Sequence, residues 1–120
     1  MIAGPLLPDV GLASLARELL AEVDRRRRLI ITAHAFAPRP RRSCDSLAAE
    51  LGISRERVRQ LEADALLRLA KAAAADRYAR LRWRAASASR PGADTLQAID
   101  DAAPWMEGLL RWLPEHTGQR

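Results

Sequence analysis

The chain has 120 residues, of which 48% are hydrophobic, 29% charged and 4% aromatic, which fits one small globular domain rather than a disordered chain. Its net charge is +5, and its single cysteine, Cys44, excludes an internal disulfide framework and a multi-cysteine zinc site. No apolar run approaches the length of a membrane span, and the N-terminus lacks the features of a signal peptide, so we expect a soluble, cytoplasmic protein. Alanine and arginine, both good helix formers, dominate the composition and favour an all-α fold.

The charge is unevenly distributed. Residues 24–42 carry seven arginines and one acid, and residues 71–90 carry six bases and one acid. The segment between these two basic blocks is nearly neutral, and both ends of the chain are acidic. Basic blocks suit contact with the phosphates of nucleic acid, but they are equally typical of a solvated surface, so charge alone leaves both interpretations open.

Two helices are predicted in the first 35 residues. Asp9 is a candidate N-cap for the first, whose apolar residues recur at helical spacing. These residues are Val10, Leu12, Leu15, Leu19, Leu20 and Val23. Asp24 is a candidate N-cap for a second helical stretch over residues 25–35. Its apolar stripe consists of Leu29, Ile30 and Ala33.

A short basic loop and two further helices follow. Pro38 and Pro40 exclude a helix interior over residues 37–42. Ser43 is a candidate N-cap for a short helix through Leu51, with Leu47, Ala48 and Leu51 on its inner face. Gly52 ends this helix, and Ser54 is a candidate N-cap for the next. Its apolar positions are Val58, Leu61, Ala65, Leu66 and Leu69, and because no glycine or proline occurs over residues 54–90, it is predicted to run past Lys71.

The last part of the chain predicts two short helices after a break at residues 87–92. Asp94 or Thr95 is a candidate cap for the first, and Pro104 fits the first turn of the second. Trp105, Leu109 and Trp112 share one stripe of that last helix. We favour a role for this stripe in the domain core. The alternatives are a surface for another regulator or a homodimer, because tryptophan is enriched at interfaces, or an acidic tail that covers the basic segment 71–90.

The centre of the chain has the pattern of a helix-turn-helix. Ala48 is small enough for two helices to cross closely, Gly52 turns the chain, and Val58 packs the second helix on the first. This arrangement turns Arg55, Glu56, Arg59 and Gln60 outward at the start of the second helix, where a recognition helix meets the major groove.

The residues of this centre are more specific than a general helix-turn-helix. Leu47–Glu62, with its run Ser-Arg-Glu-Arg-Val-Arg-Gln-Leu-Glu, closely resembles region four of bacterial RNA polymerase sigma factors. The similarity continues to Leu69, and Arg28–Phe36 resembles the first helical part of that region, particularly in heat-shock-type sigma factors. The resemblance covers about residues 25–71. It divides the chain into an N-terminal helix and lead-in (1–24), the sigma-like domain (25–71) and a helical extension with a C-terminal tail (72–120).

The resemblance implies recognition of the upstream promoter element and docking on the flap of the polymerase β subunit. It places Arg55, Glu56 and Gln60 at base-reading positions and Arg57 and Arg59 near the DNA. The side chains suit these roles, since Arg recognises guanine, Glu accepts from cytosine and Gln pairs with adenine. The full set of expected DNA-binding residues is Ser54, Arg55, Glu56, Arg57, Arg59 and Gln60, together with Arg39, Arg41, Arg42 and Ser43 of the preceding loop.

The sequence departs from the sigma-factor pattern in three places. Cys44 replaces an aliphatic residue, and the loop over residues 37–42 is basic and rich in proline where the family loop is more acidic. Only one predicted helix precedes residue 25, so the aromatic-rich region with which sigma factors melt promoters is not expected here. We therefore expect a protein that does not initiate transcription alone.

The leading functional interpretation is a DNA-binding transcription regulator similar to sigma region four that also contacts RNA polymerase. Two alternatives remain: a dimeric helix-turn-helix regulator independent of polymerase, and a polymerase-binding antiterminator or decoy module. His34 and Cys44 are candidate metal ligands, but no further ligand lies near them in sequence, so no metal site or other cofactor is expected. Neither a phosphate-binding loop nor an activated nucleophile is recognisable, and no enzymatic activity is expected.

Overall fold

The computed structural model describes residues 8–88 and 104–116, and within these residues it contains six α-helices and no strand. This confirms the predicted small all-α fold. The helices are α1 (Pro8–Leu20), α2 (Arg25–Ile30), α3 (Cys44–Leu51), α4 (Arg55–Ala73), α5 (Ala79–Ala88) and α6 (Met106–His116). A π-helical segment, Ile31–Ala35, continues α2, and a 3₁₀ turn, Asp76–Tyr78, precedes α5. None of the helices in these two ranges is both long and apolar enough to cross a membrane.

The first two helices begin for different reasons. The predicted cap at Asp9 is wrong, because α1 begins at Pro8 and Asp9 therefore lies inside its first turn. Proline fits that position since the first helical N–H groups have no partner within the helix. The predicted cap at Asp24 is confirmed: its carboxylate accepts a hydrogen bond from the backbone N–H of Arg27 at 3.3 Å.

Two separate groups of buried side chains hold the helices together. The larger, which we call the scaffold cluster, joins α1, α5, α6 and the C-terminal half of α4. It includes Leu12, Ala16, Leu19, Leu20, Val23, Ile31, Phe36, Ala65, Leu69, Ala73, Tyr78, Leu81, Ala85, Met106, Leu109, Leu110 and Leu113. The smaller, which we call the helix-turn-helix cluster, joins α2, α3 and the N-terminal half of α4. It consists of Ile30, Leu47, Ala48, Val58 and Leu61.

The chain passes between the two clusters at the junction of α2 and the π-helical segment. Ile30 is buried in the helix-turn-helix cluster, and the next residue, Ile31, is buried in the scaffold cluster. The N–H of Phe36 donates to the carbonyl oxygen of Ile31 at 2.8 Å. This five-residue spacing is that of a π-turn, and it directs both Ile31 and Phe36 into the same cluster.

Helix α4 passes Lys71, as the sequence predicts, and ends at Ala73. The extended backbone of Ala75 (ψ 151°) then turns the chain into α5. The guanidinium group of Arg82 donates hydrogen bonds to the carbonyl oxygens of Ala73 at 2.5 Å and Ala75 at 2.8 Å. These contacts satisfy carbonyl groups that the end of a helix leaves open. The basic segment 71–90 is therefore not one continuous helix.

Helix α6 packs on the scaffold cluster, which confirms the core interpretation of its apolar stripe. Leu109 is fully buried, and Trp105 and Trp112 pack against the cluster while remaining partly exposed. Leu109 has no surface to offer a partner, so contact with another regulator or a homodimer stays a prediction that depends on the two tryptophans. The helix predicted to begin at Asp94 or Thr95 lies outside the described residues.

Candidate nucleic-acid interface

The turn between α3 and α4 has the geometry that the sequence predicts. Gly52 adopts left-handed backbone angles (φ 69°, ψ 34°), which suit glycine because other residues there place Cβ against the backbone. Ala48, only 8% exposed, lies where the helices cross, and its carbonyl oxygen accepts a hydrogen bond from the N–H of Ile53 at 3.1 Å. Val58 is fully buried beneath the crossing.

Serine caps fix the start of both helices. The hydroxyl oxygen of Ser43 accepts a hydrogen bond from the N–H of Ser46, and that of Ser54 accepts from the N–H of Arg57, each at 3.0 Å. Both predicted caps are confirmed. Because each hydroxyl acts as an acceptor in its cap, its O–H remains able to donate to a phosphate oxygen.

Helix α4 presents an exposed polar row at its N-terminus. The side chains of this row are Arg55, Glu56, Arg57, Arg59 and Gln60, and all five are exposed. Val58 and Leu61, on the opposite face of the same turns, are buried in the helix-turn-helix cluster. Burial of one face by the small cluster therefore fixes which side of α4 points outward, and this is the side that the sequence predicts for contact with DNA.

The polar row is held by weak contacts between its own members and with α3. Arg57 donates to the amide oxygen of Gln60 at 3.2 Å, and Arg59 lies 3.9 Å from a carboxylate oxygen of Glu56. Arg55 lies 3.7 Å from the carboxylate of Asp45 on α3. Exposed ion pairs of this kind contribute about 0–1 kcal/mol, so they orient the side chains and exchange readily for contacts with a ligand.

The basic residues of the preceding loop are placed differently from one another. Arg39 and Arg41 are exposed, and Arg41 donates to the carbonyl oxygen of His34 at 3.2 Å. Arg42 is half-buried against α3, where it pairs with the carboxylate of Glu50 and donates to the hydroxyl of Ser46 at 2.8 Å. Arg39 and Arg41 are thus open to a phosphate, whereas Arg42 must first exchange its contacts with α3.

His34 links the π-helical segment to both helices of the motif. Its Nδ1 atom lies 2.6 Å from a carboxylate oxygen of Glu62 on α4, and its Nε2 atom lies 4.0 Å from the sulfur of Cys44 on α3. The sequence suggests the His34–Cys44 pair but not Glu62, since that residue is 28 positions away from His34. The described residues include no group of three or more His, Cys, Asp or Glu side chains arranged to hold a metal ion.

Arg27 makes a second polar link between α2 and α4. Its guanidinium group bonds Asp24 at 3.2 Å and Asp64 at 2.7 Å, and Arg68 also bonds Asp64 at 2.7 Å. Partial burial raises the pKa of both carboxyl groups, but the hydrogen bonds from Arg27 outweigh it, and each pKa lies below its usual value. Both carboxylates are therefore held in the charged form.

Comparison with known protein families agrees with this geometry. Residues 19–71 match the family model described as sigma-70, region 4. The match includes α2, α3 and most of α4, and so the whole helix-turn-helix cluster and the exposed polar row. Neither a curated protein nor a solved structure gives a match to the chain. Residues 19–71 thus form a helix-turn-helix segment similar to region four of the sigma factors.

Proposed function

We propose that this chain regulates transcription by placing the N-terminus of α4 in the major groove of promoter DNA while it contacts RNA polymerase. The observation that carries the proposal is the exposed polar row on α4. A serine cap and a buried opposite face hold it, and it lies within the segment that matches sigma region four.

The chemistry of the polar row supports base recognition. In the proposed complex Arg55 donates to guanine, Gln60 pairs with adenine and Glu56 accepts from cytosine, because these side chains match the hydrogen-bonding groups of those bases. Arg57 and Arg59 lie close enough to these positions to reach the bases or the neighbouring backbone.

The loop and the two serine caps support contact with phosphates. Arg39 and Arg41 are exposed cations on the approach to α3, and Ser43 and Ser54 carry hydroxyls at the starts of two helices. A helix N-terminus attracts anions through its free N–H groups. Arg42 joins this set in the proposed complex after it exchanges its contacts with Glu50 and Ser46.

The proposed DNA contacts are tested by comparing single variants on a library of DNA duplexes. Arg55→Ala is expected to reduce discrimination at one base pair, since a bidentate Arg–guanine contact is worth about 1–3 kcal/mol. Arg39→Ala and Arg41→Ala are expected to weaken binding to all sequences and to lower the salt dependence. Arg26→Ala, an exposed arginine on α2, serves as the control for lost charge. An equal loss for every DNA sequence after Arg55→Ala contradicts its role in base recognition.

Contact with RNA polymerase is a separate part of the proposal. The match to sigma region four supports it, and the flap of the β subunit is the docking site that this resemblance implies. The test is co-purification of the tagged chain with core polymerase from nuclease-treated cells, repeated with polymerase that lacks the flap. Binding that requires the flap supports the proposal. DNA binding without polymerase binding instead makes the chain an independent helix-turn-helix regulator.

We also propose that the chain acts at the bacterial nucleoid in the cytoplasm. A further proposal is that these 120 residues do not open promoter DNA by themselves. Melted DNA is commonly held by bases stacked on exposed aromatic side chains. Phe36 and Tyr78 are buried, and Trp105 and Trp112 pack against the scaffold cluster, whereas Trp83 is 68% exposed. If the purified chain and core polymerase open a promoter with no other sigma factor, the proposal that the chain does not open promoter DNA by itself is wrong.

A further inference from the structure

A cationic cavity lies on the side of the domain where α1, α2 and the start of α6 meet. Its volume is about 420 Å³, within the range of about 300–1,000 Å³ that is usual for small-molecule sites. Arg17, Arg25 and Arg28 contribute to its walls, together with Thr32, Trp105 and the apolar side chains of Leu20 and Leu29. Three cations, an aromatic ring and a hydroxyl therefore surround one open space.

Arg28 is the partly buried arginine of this cavity, whereas Arg17 and Arg25 are exposed. Its Nε atom is buried and has no hydrogen-bond partner. By contrast, the guanidinium group of the preceding residue, Arg27, donates hydrogen bonds to the carboxylates of Asp24 and Asp64. A ligand in the cavity would therefore meet the rest of the Arg28 guanidinium group, which forms no ion pair with any acid in the described part of the chain.

The described residues of the cavity wall include no acid that would balance its positive charge. Among the described residues that line it, the charged side chains are all arginines. The hydroxyl of Thr32 donates to the carbonyl oxygen of Arg28 at 2.9 Å, so it offers a ligand its lone pairs rather than its proton. The arginines of the cavity therefore suit an anion, and the free lone pairs of Thr32 suit a donor group on the same ligand.

We propose that this cavity binds a nucleoside phosphate. The phosphate fits the arginines, since guanidinium groups bind phosphate oxygens in pairs, and the planar base fits the wall formed by Trp105. The amino or hydroxyl groups of a nucleoside supply the donor for Thr32. Neither a free phosphate nor a neutral nucleoside uses both the cationic and the aromatic walls.

The cavity is separate from the proposed DNA contacts. Arg27, which adjoins Arg28, bonds α4 at Asp64, ten residues and therefore about 15 Å along the helix from Ser54. Nucleotide binding at the cavity and DNA binding at the polar row are thus independent proposals, and a variant at one site leaves the residues of the other unchanged.

The test is titration of the full chain with ATP, adenosine and inorganic phosphate, followed by two-dimensional NMR and calorimetry. We expect ATP to shift the amide signals of Leu29 and Thr32 and the indole N–H of Trp105, and to bind at least about tenfold more tightly than either part alone. Arg28→Gln is expected to weaken ATP binding about tenfold. Arg26→Gln is the matched control, because it removes the same charge from the same helix outside the cavity, and it is expected to change binding less than twofold.

Three results overturn the proposal. The first is an absence of saturable ATP binding at millimolar concentration. The second is an equal loss in Arg28→Gln and Arg26→Gln, which indicates general attraction to a basic surface. The third is a set of ATP-induced chemical-shift changes confined to the amide signals of Arg39, Arg41 and α4. This result would place the phosphate at the proposed DNA contacts instead. If Arg28→Gln fails to fold, Arg25→Gln provides the same comparison, since Arg25 is an exposed side chain of the cavity wall.

Discussion

The scaffold cluster and the helix-turn-helix cluster hold their helices in different ways. Seventeen buried residues from four helices and the connecting segments form the scaffold cluster, whereas five residues form the helix-turn-helix cluster. The smaller cluster is supplemented by directional contacts: two serine caps, a glycine turn, and polar links through His34 and Arg27. Apolar burial is not directional, whereas hydrogen bonds fix orientation. The helices that carry the proposed DNA contacts are therefore held by a small apolar core together with polar contacts that fix their orientation.

The largest expected effect follows from this difference in packing. Leu109→Ala is expected to lower the free energy of unfolding by about 2–5 kcal/mol, because its cavity lies inside the large cluster and its neighbours cannot collapse fully. Leu47→Ala, at an equally buried leucine of the small cluster, is expected to cost less, since the partly buried Leu51 and Ile53 can move to fill the space. Urea denaturation measures both. An equal or larger loss for Leu47→Ala contradicts the proposed contrast.

Two glycines give the next comparison. A Cβ atom at Gly108 on α6 would lie 2.2 Å from the carbonyl oxygen of Phe36, so Gly108→Ala must push α6 away from the scaffold and is expected to cost about 3 kcal/mol. At Gly52 no atom lies within 4 Å of an added Cβ, and only the positive φ opposes alanine, at a cost of about 1 kcal/mol. Thermal unfolding of the two variants measures the difference. A greater loss for Gly52→Ala would show that backbone strain exceeds the steric effect.

The local features of the helix-turn-helix were predictable from sequence, and the contacts between distant residues were not. Ser43, Ser54, Gly52 and Val58 act on neighbours within a few residues, so their types and spacing were sufficient. The sequence predicts that α4 passes Lys71 but not the residue at which it ends, because Arg82 on the next helix satisfies the carbonyl groups of Ala73 and Ala75.

The same distinction applies to the candidate site. The outward row on α4 follows from helical periodicity, and the structure confirms its exposure. The partners of His34 and Arg27 lie 28 and 37 residues away, and the cavity beside Arg28 joins three helices, so no local pattern indicates them. Phe36 and Gly108 show this most clearly, because only the tertiary fold brings α6 against the backbone of residue 36.

Alkaline pH is expected to weaken the scaffold. The Tyr78 hydroxyl donates to Glu22 at 2.9 Å, and burial, together with that hydrogen bond, raises the pKa of Tyr78 to about 12 from its usual 10.0. Below pH 10 the phenol is protonated in both states. Between pH 10 and 12 the unfolded chain releases the proton that the folded chain retains, so stability falls as pH rises, by about 2–3 kcal/mol in total.

This prediction is checked on the tyrosine itself. Tyr78 is the single tyrosine in the sequence, so tyrosinate absorbance reports its titration directly. Tyr78→Phe is expected to remove this part of the alkaline loss of stability while it leaves any part due to other groups. A titration midpoint near pH 10 in the folded protein contradicts the proposed burial effect.

Acid pH is expected to weaken the helix-turn-helix side instead, with the smallest effect of the four. The pKa values of Asp24 and Asp64 are lowered by Arg27, so their contribution is present above the usual aspartate pKa of 3.8 and is lost as pH falls through the folded values. Arg27→Gln is therefore expected to be less stable than the original chain at pH 6, with a difference that shrinks as the pH falls below 3.8. The effect is small because both carboxylates are substantially exposed and Arg68 still pairs with Asp64.

Arg26→Gln controls for the lost charge, and a difference in stability that is independent of pH would show that Arg27 acts through packing. Because this link joins α2 to α4, loss of DNA affinity in Arg27→Gln at pH 6, without the same loss in Arg26→Gln, would show that polar contacts orient the polar row.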